Sequence, residues 1–359
     1  MAIKRNKVKL NLGSYPPILI MGERKVGKST LCYNLAELVY SLDEMLLISL
    51  GKEKGFQHLD DVQFEEARVW SKKEDENGER GFIQIVDDIV KNNNELGLKM
   101  VVIDTLDELY AIGTEEVLRQ HRIEKQTPCK SLNDAFGGFN RGKDRLVSIV
   151  SDAIDRLDRM GIAVFILAHT KWKEKTDVLT GDKYEVLTNN LRADLYGDVA
   201  NTCQMIVNIT IDRMIEDGKQ VGENRYLNFR SNGLVDCGSR FNELPEKLEL
   251  SAENFMKAFE IGVKSSMKKK LSDEEIKNAK AIEEKEIQQS AEKIREEVLS
   301  QAEEDNTINK DELLPQIQDK MKSADAETRN KAIAFVKSKG GKTSEMEIED
   351  LKTLFDMFK

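Results

Sequence analysis

The chain has 359 residues, of which 40% are hydrophobic and 33% charged, with a formal net charge of −10. No run approaches the roughly 20 apolar residues of a membrane span, and the opening "MAIKRNKVKL" lacks the apolar core of an export signal, so a cytoplasmic protein with no membrane partner is expected. The acidic balance excludes a protein that coats nucleic acid over its whole surface, though not one with a local basic groove, and four scattered cysteines beside three histidines suggest neither a disulfide framework nor a zinc site.

Taken in order, the first apolar run, "PPILIM", ends in "GERKVGKST", and "STLCYNLAELVYSL" reads as a helix with Leu31, Leu35, Leu38 and Leu42 on one face. "MLLISL" is a second buried strand and "FIQIVDDIVKNN" a helix; "KMVVIDT" is a third strand. A helix through "RLVSIVSDAIDRLDRM" leads to a fourth strand, "GIAVFILAHT", then a fifth, "TCQMIVNITID", and a sixth, "RYLNFRS". Continuous apolar strands separated by helices predict an α/β domain, with a mainly parallel central sheet covered on both faces, over residues 1–263. From residue 264 the character changes. "KSSMKKK" is a basic linker, Ile287, Ala291, Ile294 and Val298 make a short helical seam, Pro315 interrupts the helical pattern, and residues 332–358 suggest a small closing helical unit. The span 264–359 is therefore expected to be a charged α-helical extension.

The frame Gly22-x4-Gly27-Lys28-Ser29 is the phosphate-cradling loop, and it has its required context, an apolar strand before it and an amphipathic helix after it. Gly22 and Gly27 permit the turn that aims backbone N–H groups at phosphates. Lys28 reaches the β- and γ-phosphates, the Ser29 hydroxyl ligates Mg²⁺, and Thr30 opens a helix whose N-terminus favours the anion. The residues expected to bind the nucleotide are thus Gly22, Glu23, Arg24, Lys25, Val26, Gly27, Lys28, Ser29 and Thr30. Three adjacent variable positions, Glu23, Arg24 and Lys25, are charged; burying them unpartnered would be costly, so they are expected to face solvent or an adjacent subunit. Asp104, closing "VVID", is the carboxylate expected to organise the metal. Asp107 and Glu108 read as a charge pair at a helix N-terminus. Glu53, just past the second strand, and His169, ending the fourth, are candidates for activating water and sensing the γ-phosphate.

"GERKVGKST", "LGKEKG", "VVIDTLDEL", "ILAHT" and "NFRSNGLVDCGSRFNELPEKL" occur in an order similar to the RecA-like P-loop ATPases. The chain most resembles the short phage-encoded group linked to single-strand annealing and recombination. The resemblance spans roughly residues 8 to 260 and leaves the last hundred or so without a counterpart. It implies ATP and Mg²⁺ as cofactors, water activation by Glu53, and coupling of nucleotide state to DNA-binding loops through His169. It also implies assembly into a ring or filament, with ATP between subunits in a bacterial or phage-infected cell; Arg230 and Arg240 are candidates for contacts to a neighbour's nucleotide. The two lysines flanking Glu53 depart from the small residues such proteins often carry there.

Two basic segments stand out from the acidic background. "RQHRIEKQTPCKSLNDAFGGFNRGKDR" brings Arg141 and Lys143 near Phe136 and Phe139, and "HTKWKEK" sets Trp172 between Lys171 and Lys173 directly after His169. Cations interleaved with aromatic rings suit single-stranded nucleic acid; a solvated loop and a packed hairpin are the plainer readings. The sequence thus predicts an ATPase acting on or with single-stranded DNA in recombination, annealing or replication, with a single-strand-binding or replication protein as a further partner for the extension. A small-molecule phosphotransferase and a nucleotide-dependent assembly or adaptor protein with little hydrolysis are the alternatives.

Overall fold

The computed structural model describes residues 8–216, 219–268, 272–324, 326–339, 341–343, 346 and 348–358. Its chain divides into two compact units, Met1–Glu292 and Lys293–Lys359.

In the first unit, β1 (Ile18–Gly22), β2 (Met45–Leu50) and β4 (Met100–Asp104) are buried along their whole length. That is why they read as unbroken apolar runs: helices cover the sheet on both faces, so neither face alternates with polar residues. Together with β3 (Phe64–Ala67), β5 (Ala163–Thr176), β7 (Met205–Glu216), β8 (Lys219–Asn228) and β10 (Lys247–Glu249), they form one sheet in the order β10-β8-β7-β1-β5-β4-β2-β3. Strands from β7 to β3 are parallel, whereas at the other edge β8 pairs antiparallel with β7 and β10 antiparallel with β8. The fold is thus an α/β P-loop core with a mainly parallel sheet and a helical extension. The expected fifth and sixth strands are two arms of one hairpin.

α1 (Lys28–Val39) buries Leu31, Cys32, Leu35 and Ala36. The expected leucine face is only half right. Leu38 is 48% exposed, and Leu42 lies beyond the helix in a 3-10 turn, Leu42–Glu44. Four small or apolar residues at i, i+1, i+4 and i+5 make a stripe that rotates Leu38 away. α2 (Phe82–Leu96) buries Phe82, Ile85, Val86, Ile89 and Val90, and α4 (Arg141–Arg159) buries Leu146, Val150, Ala153, Ile154 and Leu157. α3 (Leu106–Lys125), the helix whose start the Asp107–Glu108 charge pair marked, is capped by Thr105, which accepts from the Glu108 backbone N–H.

Two hairpins continue past the end of β1. Gly22, its last residue, pairs with His169 of β5 and Ile209 of β7. Beyond those points β5 pairs with β6 (Lys183–Asn189) and β7 with β8, out to Thr176 and Glu216. Seven further residues at about 3.3 Å each carry the arms roughly 23 Å past the loop.

α5 (Ala193–Thr202) precedes β7, and the short β9 (Gly238–Ser239) pairs with it. α6 (Ala252–Ser266) contributes Phe255, Ala258, Phe259 and Val263 to the main core, so the boundary expected at 263/264 falls inside this helix. Part of the expected basic linker, Lys269 and Lys270, lies outside the described residues. α7 (Asp273–Ser323) begins on the first unit. The Glu283 carboxylate is buried and accepts from the backbone N–H groups of Leu10 at 2.9 Å and Asn11 at 3.2 Å.

In the second unit, α7 continues through Pro315, contrary to the break expected there. Proline removes one N–H donor from the ladder, and Ile317, two residues on, is fully buried in a small apolar cluster, which offsets that loss. Val336 of α8 (Ala326–Ser338) and Leu351 and Leu354 of α9 (Ile348–Asp356) complete the cluster, as the expected closing helical unit. Among the described residues no helix is long and apolar enough to cross a membrane.

Candidate nucleotide-binding site

The loop Gly22–Ser29 joins β1 to α1, and its glycines are sterically required. A Cβ on Gly22 would stand 2.7 Å from Val26 Cγ1, and Gly27 has a φ of +106°, which side chains resist. Val26 is buried while Glu23, Arg24 and Lys25 are exposed, as the cost of burying charge demanded. Lys28 is buried at the start of α1 and donates through Nζ to the carbonyls of Gly22 at 3.0 Å and Glu23 at 2.9 Å. Burial lowers its pKa, an effect opposed chiefly by Asp104 and then by Glu53. Its ammonium is thus tethered to the loop carbonyls, ready for an anion.

Ser29 Oγ donates to Asp104 Oδ2 at 3.0 Å, joining the second residue of α1 to the last of β4. Burial raises the Asp104 pKa; the Ser29 hydrogen bond and Lys28 oppose the rise, and Glu53 adds to it. Gly55, in the loop after β2, closes over the pair, since a Cβ there would lie 3.0 Å from Asp104 Oδ2 and 3.2 Å from Ser29 Oγ. The same loop presents Glu53, whose backbone is pinned by a 2.6 Å hydrogen bond from Ser49 Oγ to its carbonyl. Thr30 Oγ1 lies 3.4 Å from His58 Nε2.

β5 is inserted between β1 and β4, so His169 stands between the loop and Asp104. Asp107 Oδ2 accepts from the His169 backbone N–H at 3.0 Å and lies 3.6 Å from its Nδ1. Burial would raise the Asp107 pKa, but the hydrogen bonds from His169 outweigh it and hold the carboxyl below its usual range. Asp107 therefore positions a histidine, which is more than the helix-end charge expected of it. A cavity of about 680 Å³ takes in Lys28, Ser29, Thr30, Glu53, Asp104 and His169.

A family model described as an AAA domain matches residues 14–241. The chain belongs to the AAA domain family. No curated protein matches this AAA domain chain. Among solved structures, the flagellar accessory protein FlaH from Methanocaldococcus jannaschii is similar with a TM-score of 0.31 and 10% identity over 60% of this chain and 77% of that one, a likeness too slight to argue from. With the fold, the family supports a RecA-like P-loop ATPase core.

A magnesium nucleotide, implied by the family, fits the residues present. A buried carboxylate with a raised pKa beside a serine hydroxyl suits a hard divalent cation, and a buried ammonium with only carbonyl partners suits phosphate.

The remaining sequence candidates lie elsewhere. Trp172 is 52% exposed on the β5–β6 hairpin beside the exposed Lys171, while Lys173 is tied by Nζ to the Leu191 carbonyl at 2.7 Å. Arg141 and Lys143 belong to the first turn of α4, where Arg141 donates to the Phe136 carbonyl at 3.3 Å. Neither lines the nucleotide cavity, although Phe139 nearby is 94% exposed. Arg230 is exposed just past β8, and Arg240 donates to the Asn201 carbonyl below the foot of β7. The arginines that do line the cavity are Arg24 of the loop itself and Arg225. Reading "RYLNFRS" as the strand put Arg225 at the very start, whereas β8 begins six residues earlier.

Proposed function

We propose that the protein binds and hydrolyses ATP and acts on or with single-stranded DNA in phage-type recombination, annealing or replication. The observation that carries this reading is continuity: the strand that brings His169 between the phosphate loop and Asp104 runs directly on into the projecting arm that exposes Lys171 and Trp172. A change at the nucleotide then has a short covalent route to a surface with the chemistry for phosphates and bases.

In this reading Ser29 and Asp104 hold Mg²⁺, which when bound neutralises charge developing on the phosphates. Lys28 exchanges its loop carbonyls for phosphate oxygens. Glu53 orients the attacking water and takes its proton, and His169 senses the γ-phosphate. Assembly into a ring or filament would bring Glu23, Arg24 and Lys25 against a neighbour and give Arg230 and Arg240 a nucleotide to reach in trans. The second unit is then free to recruit a single-strand-binding or replication protein.

The phosphotransferase alternative has less support, because "FNRGKDR", whose composition suits an arginine-rich lid, leads into α4 at its packed corner with α3. Arg145 there is bonded to Gln120 and Glu124 and lies over the Phe136 ring.

ATP turnover measured with and without single-stranded DNA tests the proposal. Stimulation in the wild type and its loss in Trp172→Ala, with basal turnover kept, are expected. Absence of both stimulation and ATP-dependent DNA binding would overturn the DNA reading, and phosphate transfer to a small acceptor would select the alternative.

A further inference from the structure

We infer that Arg225 is a ligand for the nucleotide's phosphate chain, supplied by the same subunit that supplies the loop; the inference rests on the nucleotide reading above. Strand register puts it there. Gly22 pairs with Ile209, and two residues farther along β7 Ile211 pairs with Arg225 of β8. The hairpin therefore carries Arg225 past the end of β1 and over the glycine loop.

Its guanidinium lies 3.9 Å, at Nη1, from the point a Cβ on Gly27 would occupy, and Nη1 is 3.4 Å from the Val26 carbonyl oxygen. Nη2 donates to Glu223 Oε1 at 3.1 Å, in a pair whose two side chains are 41% and 42% exposed. A guanidinium has five N–H donors. One long contact to a carbonyl and one solvent-exposed ion pair are weak holds, and most of that donor capacity stands on the wall of the cavity that contains Lys28, Ser29 and Thr30.

A polyanionic phosphate chain entering the cavity offers a guanidinium what neither present partner does: several charged acceptor oxygens in forked geometry. Glu223 keeps the arginine beside the loop until then. Gly27 leaves room for this, since any side chain on it would be directed at Leu250 and the guanidinium.

The experiment measures affinity of the full-length protein for a fluorescent ATP analogue with Mg²⁺, in wild type, Lys28→Ala, Arg225→Gln and Arg225→Lys. The wild type binds and Lys28→Ala does not; Arg225→Gln weakens binding about tenfold to a hundredfold, as loss of a charge-assisted bond to phosphate should, and Arg225→Lys recovers part of it. Inorganic triphosphate as competitor loses affinity to the same extent, whereas an arginine contacting the base would leave it unchanged. Thermal unfolding of nucleotide-free Arg225→Gln matches wild type, because the side chain is half-exposed. An equimolar mixture of Lys28→Ala and Arg225→Gln binds no better than Arg225→Gln alone. Restoration by mixing would show an arginine working in trans and overturn the inference, as would wild-type affinity in Arg225→Gln. No binding by the wild type would instead defeat the nucleotide reading itself, and this inference with it.

Discussion

Asp107 accepts a hydrogen bond from the His169 backbone N–H at 3.0 Å and stands 3.6 Å from the same residue's Nδ1. One carboxylate on the first turn of α3 thus fixes both the main chain and the ring of the residue between the loop and Asp104. Asp107→Asn keeps an acceptor for the backbone N–H, whereas Asp107→Ala leaves that donor without one. We expect ATP affinity within about threefold of wild type in both. Turnover should fall about tenfold or more in Asp107→Ala and less in Asp107→Asn, as steady-state kinetics would read. Equal losses in kcat and affinity would argue against a positioning role.

Glu53 is held at the backbone by Ser49 and shares the cavity with Lys28 and Asp104. Glu53→Gln removes a base and retains the shape. A general base contributes about 10²–10⁴-fold, so turnover should drop by at least a hundredfold while the fluorescent ATP analogue still binds. Unchanged turnover would transfer the role to another group.

Arg24 and Lys25 are exposed on the flank of the loop, and Lys25 sits at a φ of 62°. Charge reversal at either position is expected to weaken self-association, seen by sedimentation, far more than ATP binding by dilute protein. A large loss of binding at the lowest protein concentration would refute that division.

Asp158 has its pKa raised to about 6 by burial, with Asp155 adding repulsion. The free carboxyl titrates near 4, so the folded protein binds the extra proton between about pH 4 and 6. Stability contributed by that proton is present below pH 4 and is lost as pH rises through about 6. Asp158→Asn removes the charge and should melt higher than wild type at pH 8, by about 1 kcal/mol after allowance for solvent screening. The difference should vanish by about pH 4; a melting difference that is independent of pH would discount the group.

Glu283 takes two backbone N–H groups of the Leu10–Asn11 segment into a buried carboxylate. Glu283→Ala leaves both donors unmet, at about 1–3 kcal/mol each when buried. Chemical denaturation should show a loss of at least about 1 kcal/mol, with Glu283→Gln milder. An unchanged midpoint would mean that water replaces the carboxylate.

Much of the site was legible in the chain because its chemistry is local. A phosphate loop needs two glycines, a lysine and a hydroxyl within eight positions, and the carboxylate must end a buried strand; both constraints are written in "GERKVGKS" and "VVID". The buried strands were equally plain, since a sheet covered on both faces admits only apolar runs. Features that depend on which strands become neighbours were not legible. Asp107 looked like a helix-end charge until β5 brought His169 beside it. Arg230 and Arg240 looked nearest to the last strands, yet the β7–β8 register puts Arg225 over the loop. Leu38 fitted a helical leucine face that the stripe Leu31, Cys32, Leu35 and Ala36 turned to solvent. Sequence by itself determined the phosphate chemistry, because backbone turns and side-chain types decide it within one segment. Only the tertiary structure decided which carboxylate holds the histidine and which arginine stands over the loop, because both depend on pairing between strands far apart in the chain.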